Sequence, residues 1–127
     1  MSYQFPWALP PLTVDEHPLD WQDVLPLNKT SNALSANFVV GSFHCLFGFT
    51  VNNTNASAQY LLLFDKIAVP SNGAVPDMCY SLAGAADKSV QWIPPRYMRE
   101  GIVLCNSSTS NTLTAGSADC WFDVQYR

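Results

Sequence analysis

The stretch Phe43-His44-Cys45-Leu46-Phe47-Gly48-Phe49-Thr50-Val51 decides the fold class of this chain. Every second residue in it is apolar, namely Phe43, Cys45, Phe47, Phe49 and Val51. Because successive side chains of a β-strand point to opposite faces, this alternation predicts a strand with these five residues on one face. His44, Gly48 and Thr50 are expected on the other face.

Further strand candidates follow, separated by segments rich in Asn, Ser, Gly and Pro that favour turns. Residues 59–67 are apolar on both faces, which favours a central strand. Pro94 and Pro95 exclude a central strand at their position, because proline cannot donate to a sheet ladder. Strands are also predicted over residues 78–82, 89–93, 101–105 and 120–126, with a loop or edge at 96–100 and a polar loop or weak hairpin at 107–117. The pattern predicts an all-β protein, a β-sandwich or jelly roll of about six to eight short antiparallel strands with an extended N-terminal arm.

Residues 1–32 form this arm and differ in composition from the body predicted over residues 33–127. Five of the nine prolines fall in the arm, at Pro6, Pro10, Pro11, Pro18 and Pro26. Proline breaks helices and holds its predecessor extended, so only residues 20–25 have the pattern of a helical turn. Large apolar side chains lie between the prolines, and we predict partner binding by Tyr3, Phe5, Trp7, Leu9, Leu12, Trp21 and Leu25.

The arm cannot bury these side chains by folding on itself. Ordering about 30 residues costs on the order of 30 kcal/mol or more, whereas burying one large apolar side chain returns about 1.5–3 kcal/mol. The arm is therefore expected to lie on another surface, and at full extension it reaches on the order of 100 Å. We predict that it docks on another subunit; the alternative is an arm wrapped around its own body.

Charge and hydropathy argue against two classes of partner. The formal net charge is −4, and six Lys and Arg residues scattered over 127 positions make no basic stripe for nucleic acid. No apolar stretch has the length needed to span a bilayer. Residues 1–21 lack the basic and continuous apolar regions of a signal peptide, so we expect synthesis in the cytoplasm.

The four cysteines permit two interpretations. An even count is compatible with disulfides. However, the chain is large enough to hold a core without covalent staples. Cys45, Cys105 and Cys120 also lie in apolar strand patterns, where a free thiol behaves as a small hydrophobic residue. Because no export signal is visible, we predict free thiols.

The sequence shows no motif of a known catalytic or metal site. His17 and His44 belong to no HExxH or paired Cys/His pattern, and neither a nucleophile elbow nor a glycine-rich phosphate loop occurs. Asp65, Asp119 and Asp123 could supply a carboxylate pair, but carboxylates at strand ends are more often solvated or bonded to loop amides. A zinc site would need the fold to bring His44 and cysteines together. We predict no enzymatic activity, no metal and no cofactor.

Sequons and aromatic residues each permit two interpretations. Sequons of the form N-x-S/T begin at Asn28, Asn52, Asn55 and Asn106. They are glycosylation sites in a secreted protein and turn-forming residues otherwise.

Trp92, Tyr97 and Trp121 either stack on sugar rings or belong to the core or a subunit interface, where Trp and Tyr are enriched. We assign Trp92 and Tyr97 to a candidate interface.

A series of segments in the body points to a protein family. It consists of residues 60–65, the turn residues Pro70, Gly73 and Pro76, and residues 101–108 and 119–126. This series resembles the small β-sandwich virion proteins of tailed bacteriophages, in particular the capsid cement, or head-decoration, proteins. The similarity covers roughly residues 35–127 and does not include the arm.

The resemblance implies a structural protein on the capsid surface, assembled in the host cytoplasm. It implies a homotrimer at local three-fold positions of an icosahedral head, which binds the major capsid protein and stabilises the shell. Such proteins bind through area and shape complementarity, and an arm adds a second contact at high effective concentration. On this hypothesis neither nucleic acid nor membrane is a partner.

Two other hypotheses stay open. A tail-fibre or receptor-binding module that recognises a carbohydrate predicts exposed aromatic residues beside the loops rich in Asn, Ser and Thr. A secreted, disulfide-linked glycoprotein predicts paired cysteines, and four free thiols would contradict it.

Overall fold

Short apolar runs separated by turn-forming residues give this chain its strands. The computed structural model describes residues 25–127, and residues 1–24 lie outside the described part. Within residues 25–127 the chain forms eight strands and no helix. In chain order the strands are β1 (Leu27–Thr30), β2 (Asn37–Gly41), β3 (His44–Asn53), β4 (Gln59–Phe64), β5 (Met78–Leu82), β6 (Ala86–Met98), β7 (Gly101–Ser107) and β8 (Cys120–Tyr126).

The strands of residues 25–127 form two antiparallel sheets of four strands each. The first sheet has the order β1-β8-β3-β6 and the second sheet has the order β2-β7-β4-β5. Pairing joins β1 with β8, β2 with β7, β3 with β6 and β4 with β5. The chain is thus one long hairpin rolled onto itself, and the pairings of β3 with β8 and β4 with β7 complete the sheets. This is the arrangement of an eight-stranded jelly roll, and the predicted all-β sandwich or jelly roll is confirmed.

Side chains between the two sheets form the core. Fully buried members come from both central strands of each sheet: Leu46, Phe49, Phe122 and Val124 in the first sheet, and Leu61, Leu63, Ile102 and Leu104 in the second. Burying one such side chain returns about 1.5–3 kcal/mol. The rings of Phe38 in β2 and Phe122 in β8 lie 6.0 Å apart between centroids, so they join the two sheets directly.

The predicted facing of β3 is wrong in its first half. A β-bulge lies between Leu46 and Gly48, where Phe47 is an extra residue relative to β8. The bulge shifts the alternation, so that Leu46 and Phe49 both lie in the core while Cys45 and Phe47 face outward. A sequence of period two does not reveal such an insertion, because the extra residue keeps the apolar pattern intact.

The second sheet is buried on both sides. Leu62 and Phe64 of β4 point away from the main core into a second apolar cluster, which Leu113 completes from the loop between β7 and β8. The Leu113 N–H donates to the Ala74 carbonyl at 2.9 Å, and the Gly73 N–H donates to the Leu113 carbonyl at 2.7 Å. The β4–β5 and β7–β8 loops therefore cover this side. The prediction of a central strand apolar on both faces is confirmed for β4.

The strand that contains Pro94 and Pro95 is an edge strand. β6 is the last strand of the first sheet, so the exclusion of a central strand at these prolines is confirmed. Its pairing with β3 is interrupted at residues 92–95, which stand opposite the single residue Phe47. We call residues 92–95 the arch.

The sandwich begins inside the segment that composition assigned to the arm. β1, Leu27–Thr30, pairs with β8 as the other edge of the first sheet, whereas composition placed the boundary after residue 32. After β1, the Ser31 N–H donates to the Phe122 carbonyl at 2.9 Å. All four residues of β1 are exposed, so pairing with β8 and not an apolar pattern makes this segment a strand.

The observed limits of the other strands agree with the limits predicted from the sequence to different degrees. β5 and β8 have the predicted limits. β6 is far longer than the predicted strand at 89–93, and β7 extends two residues beyond the predicted end. β2 was missed, because its apolar run of Phe38, Val39 and Val40 is too short to show a period.

Candidate interaction surface

The two sheets differ in what covers their outer sides. Loops cover the outer side of the second sheet, whereas within residues 25–127 no loop covers the outer side of the first sheet. We call this uncovered side the open face. The register of β3 with β8 places Asn52 beside Trp121 and Thr50 beside Asp123 on it. The open face is therefore a regular sheet surface that no other part of residues 25–127 covers.

The half of the open face nearer the β3–β4 loop is polar. The hydroxyls of Thr50 and Ser89 are hydrogen-bonded across β3 and β6 at 2.8 Å. One step along, the Asn52 side-chain amide donates to the Asp87 carboxylate. Such cross-strand pairs stabilise the sheet while leaving their outer edges available to solvent.

Trp121 stands within this polar half and is 44% exposed. It borders a shallow depression of about 540 Å³. The depression is lined by Thr30, Ser31, Thr50, Asn52, Asp87, Trp121, Phe122 and Asp123. An aromatic face here adjoins hydroxyl, amide and carboxylate groups, which together offer both packing and hydrogen bonds.

The half of the open face nearer the C-terminus is apolar. Cys45 pairs with Tyr97 on one side, and its backbone exchanges hydrogen bonds of 2.8 and 2.9 Å with Arg127 on the other. Phe43 is 66% exposed, Tyr97 61%, and Ile93 in the arch 95%. Clustered exposed apolar side chains mark interaction sites. We call this surface the apolar end and define it as Phe43, Cys45, Phe47, Ile93 and Tyr97.

A second depression, of about 210 Å³, lies where the apolar end meets the residues before β1. It is lined by Pro26, Phe47, Gln91, Trp92, Ile93 and Gln125. Pro26 directly precedes β1, so the chain leaves the described part beside the apolar end.

The structure describes three of the residues that sequence assigned to partner binding. Tyr97 lies in the apolar end, and Leu25 is exposed just before β1. Trp92 is partly buried against the core, with its ring centroid 5.8 Å from that of Phe49, and it also borders the second depression. The other arm residues lie outside the described part: Tyr3, Phe5, Trp7, Leu9, Leu12 and Trp21.

Sequence reasoning missed Phe43, Phe47 and Ile93 as surface residues. Phe43 and Phe47 share the apolar alternation of β3, and only the bulge separates them from the core residues that follow. A signal for Ile93 was present, because an apolar residue before two prolines belongs to an edge or an interruption of a sheet.

Buried amides hold the loops at the opposite end of the sandwich. The Asn53 side-chain amide donates to the carbonyls of Ser57 and Ala83 at 3.1 and 3.0 Å, and its oxygen accepts from the Gln59 amide at 3.0 Å. Asn106 in β7 is 1% exposed, and its side-chain amide donates to the Ser117 carbonyl at 3.0 Å. Asn28, Asn52 and Asn106 all lie in strands, so of the four sequon asparagines, which are all described, the turn-forming interpretation holds for Asn55 in the β3–β4 loop.

The ionisable side chains are dispersed over the sandwich. Asp65 accepts from the β6–β7 turn, Asp119 from Asn55 at 2.9 Å, and the ring of His44 packs against Tyr126. Among residues 25–127, no group of three His, Cys, Asp or Glu side chains is placed to hold a metal ion.

The four cysteines, all within the described part, are free thiols, as predicted. Cys45 and Cys79 are partly exposed, whereas Cys105 and Cys120 are buried. Burial raises the pKa of Cys105 to about 12. Burial and the Asp119 carboxylate raise the pKa of Cys120 to about 11. Both buried thiols are therefore protonated at neutral pH and act as core residues.

Residues 25–127 contain no helix long and apolar enough to cross a membrane. Comparison of the chain with models of protein families, with curated proteins and with solved structures finds no match. The function is therefore inferred from the open face and from the composition of the arm.

Proposed function

We propose that this protein is a non-enzymatic structural virion protein, a cement or decoration protein that binds the capsid shell of a tailed phage and stabilises it. On this proposal it is a homotrimer on the capsid surface, assembled in the host cytoplasm, and its partner is the major capsid protein. Neither nucleic acid, membrane, metal nor cofactor takes part. The observation that carries the proposal is the exposed apolar end of the open face.

The apolar end supports binding to a protein. Phe43 and Tyr97 expose most of their rings, and aromatic residues are enriched where protein subunits meet. The surface is also sparing in carboxylates, since Asp87 and Asp123 lie in the polar half. Depletion of acidic groups at the centre of a contact is typical of protein–protein interfaces.

The arm supplies a second contact. Its apolar residues between prolines cannot be buried within the arm itself, because the entropy cost of ordering it exceeds what their burial returns. An arm joined to a folded body binds its second site at high effective concentration. Two modest contacts then hold a subunit on a shell firmly without a reactive site.

The fold adds an analogy. Eight-stranded jelly rolls occur in viral capsid proteins and in lectins. A fold alone assigns no function. The analogy is compatible with a capsid-binding protein and with a carbohydrate-binding module, and the surface chemistry has to distinguish between them.

Cosedimentation with shells that lack this protein tests the proposal. The double variant Phe43→Ser with Tyr97→Ser should keep the melting temperature of the body, and deletion of residues 1–24, which ends before β1, should leave the body folded. Each should weaken binding to the shell by roughly tenfold or more, since hot-spot residues contribute about 1.4 kcal/mol or above.

Val75→Ser is the matched control, because Val75 is equally exposed but lies in the β4–β5 loop, away from the open face. It should bind as the wild type does. Wild-type binding by both the deletion and the double variant would overturn the proposal.

The Trp121 depression favours a second candidate, a receptor-binding module that recognises a carbohydrate. A sugar ring can pack its C–H face on the indole while Asn52, Asp87 and Asp123 hydrogen-bond its hydroxyls.

A glycan array followed by titration of the best ligand separates the two candidates. Binding that is lost in Trp121→Ala and kept in Tyr97→Ala would favour the carbohydrate module. Absence of binding to any glycan, together with binding to shells, would favour the virion protein.

A further inference from the structure

We propose that residues 19–25 of the arm dock on the apolar end of the same molecule, with Trp21 as the anchoring side chain. The segment would cover the second depression together with Cys45, Phe47 and Ile93, and it would leave Phe43 at the neighbouring turn exposed. The inference does not depend on the virion proposal. Residues 1–18 would stay available to reach a neighbour.

The exit point of the chain is the first argument. Leu27 pairs with Tyr126, and Tyr126 pairs with Leu46, so the start of β1 lies level with the bulge of β3. Pro26 lines the second depression together with Phe47 of β3 and Ile93 of β6. The preceding residues therefore enter the described part next to the apolar end and not at the polar half.

The reach of the segment is the second argument. Crossing the first sheet from β1 to β6 passes three gaps between strands, or about 14 Å at 4.8 Å each. Trp21 precedes Pro26 by five residues, which span up to about 17 Å when extended. Trp21 can thus reach the arch and Tyr97 without displacing β1.

Complementary chemistry is the third argument. The segment Leu19-Asp20-Trp21-Gln22-Asp23-Val24-Leu25 combines apolar side chains with two carboxylates. The apolar end offers the aromatic and aliphatic side chains that would pack against Trp21, Val24 and Leu25. The polar half would oppose the carboxylates of the segment with Asp87 and Asp123, whereas none of the five side chains that define the apolar end is a carboxylate.

Covalent attachment favours docking of a molecule's own arm over docking of the arm of a second copy. A segment joined to its site by one or two residues has an effective concentration in the millimolar range. An arm from another molecule at micromolar concentration cannot compete with it for the same surface.

The native thiol of Cys45 reports on this docking, because it is partly exposed and lies in the apolar end. The rate of its alkylation by iodoacetamide is measured in the full-length protein by peptide mass spectrometry. Cys79 on the second sheet is the internal control. The variants are Trp21→Ala and the matched control Trp7→Ala.

Trp21→Ala should raise the alkylation rate of Cys45 by about tenfold. A segment that is docked about nine-tenths of the time leaves Cys45 accessible in about one-tenth of the molecules, and loss of docking makes it accessible in all of them. Trp7→Ala should leave the rate unchanged, and Cys79 should react equally in all proteins. Equal rates for Cys45 in wild type and Trp21→Ala would overturn the proposal. Wild-type rates that rise on dilution would identify a second copy as the source of the arm and would overturn it as well.

Disulfide trapping gives a second readout should Trp21→Ala perturb the fold. In a Cys79→Ser background treated with glutathione disulfide, which is reduced to two glutathione thiols, Gln22→Cys should form an intramolecular disulfide with Cys45, and Gln4→Cys should do so at least severalfold more slowly. Disulfide-linked dimers in place of the intramolecular product, or equal rates for the two positions, would contradict docking within one molecule. Neither readout involves a shell, so failure here is distinguishable from failure of the virion proposal.

Discussion

The carboxylate of Asp65 organises the turn between β6 and β7. It accepts hydrogen bonds from the backbone N–H groups of Arg99 at 3.0 Å, Glu100 at 2.7 Å and Gly101 at 3.2 Å. Desolvation by burial opposes ionisation, but these backbone hydrogen bonds and the charge of Arg96 outweigh it and lower the pKa of Asp65 below the ordinary value of 3.8. The ionised side chain therefore stabilises the folded state.

Asp65→Asn should lower the free energy of unfolding by about 1–3 kcal/mol near neutral pH, the usual cost of losing hydrogen bonds to a charged group. Because the folded pKa is lowered, the contribution of Asp65 is fully present above the unfolded pKa, near 4, and is lost as pH falls through the folded value. Urea unfolding at neutral and acid pH measures both effects.

Glu100→Gln is the control for Asp65→Asn, because Glu100 is an exposed carboxylate in the same turn. It should change stability by less than about 0.5 kcal/mol. An effect of Asp65→Asn that stays the same at about pH 3 and at neutral pH would contradict a role for the ionised form.

The cysteines should show two classes of reactivity. Four thiols should react with a chromogenic disulfide reagent in denaturant without reductant, because the structure contains no bonded pair among them. In the native protein Cys105 and Cys120 should be unreactive, since burial and a raised pKa suppress the thiolate. Fewer than four thiols in denaturant would instead favour the secreted, disulfide-linked glycoprotein.

At the scale of elements, the bulge of β3 determines which side chains of this strand face the core and which face outward. It requires Gly48, where a Cβ would lie 2.6 Å from the Val90 carbonyl oxygen of the neighbouring strand. Gly48→Ala should therefore destabilise the protein by about 2 kcal/mol or more, because backbone must move to accommodate the methyl group. Thermal unfolding measures the change.

Gly41→Ala is the matched control, since the nearest atom to a Cβ at Gly41 lies 4.0 Å away. It should leave stability within about 0.5 kcal/mol of the wild type. Equal stability of the two alanine variants would contradict the close approach of β3 and β6 at the bulge.

The apolar pattern of a segment predicts a strand where its side chains are buried in a regular order. It fails where pairing with a distant strand determines the structure of the segment. The two-sided apolar run of β4 and the alternation of β8 are visible in the amino-acid sequence itself, and both segments form strands. All four residues of β1 are exposed and three of them are polar, so its own residues do not indicate a strand. Phe47 looks like its neighbours in sequence, yet it is the residue at which the facing of β3 changes.

At the scale of the molecule, two sheets of one jelly roll have unlike outer sides. Loops anchored by Leu113 cover the second sheet, whereas the first sheet carries a polar half with Trp121 and an apolar end with Tyr97. The sequence predicts Tyr97 as a candidate interface residue, and the structure shows that it is exposed. The exposure of Phe43 depends on the bulge, which arises from pairing between distant parts of the chain, whereas the two prolines after Ile93 are a local signal for its exposure.

On the proposed function, the arm and the open face act together. The chain leaves the described part at Leu25, beside the apolar end, so an arm that docks there would be aimed across the first sheet toward a neighbour. Phe43 at the adjoining turn would stay available to the same neighbour. A composite surface of body and arm would make binding depend on both.

A density map of the native shell with this protein bound would show the proposed contact itself. We expect a jelly roll whose open face is turned toward a capsid subunit, with Phe43 and Tyr97 in contact with it. Density for the arm should continue from Leu25 across the apolar end and onto the neighbour. A bound protein whose open face and arm both point into solvent would contradict the proposed role of these two surfaces.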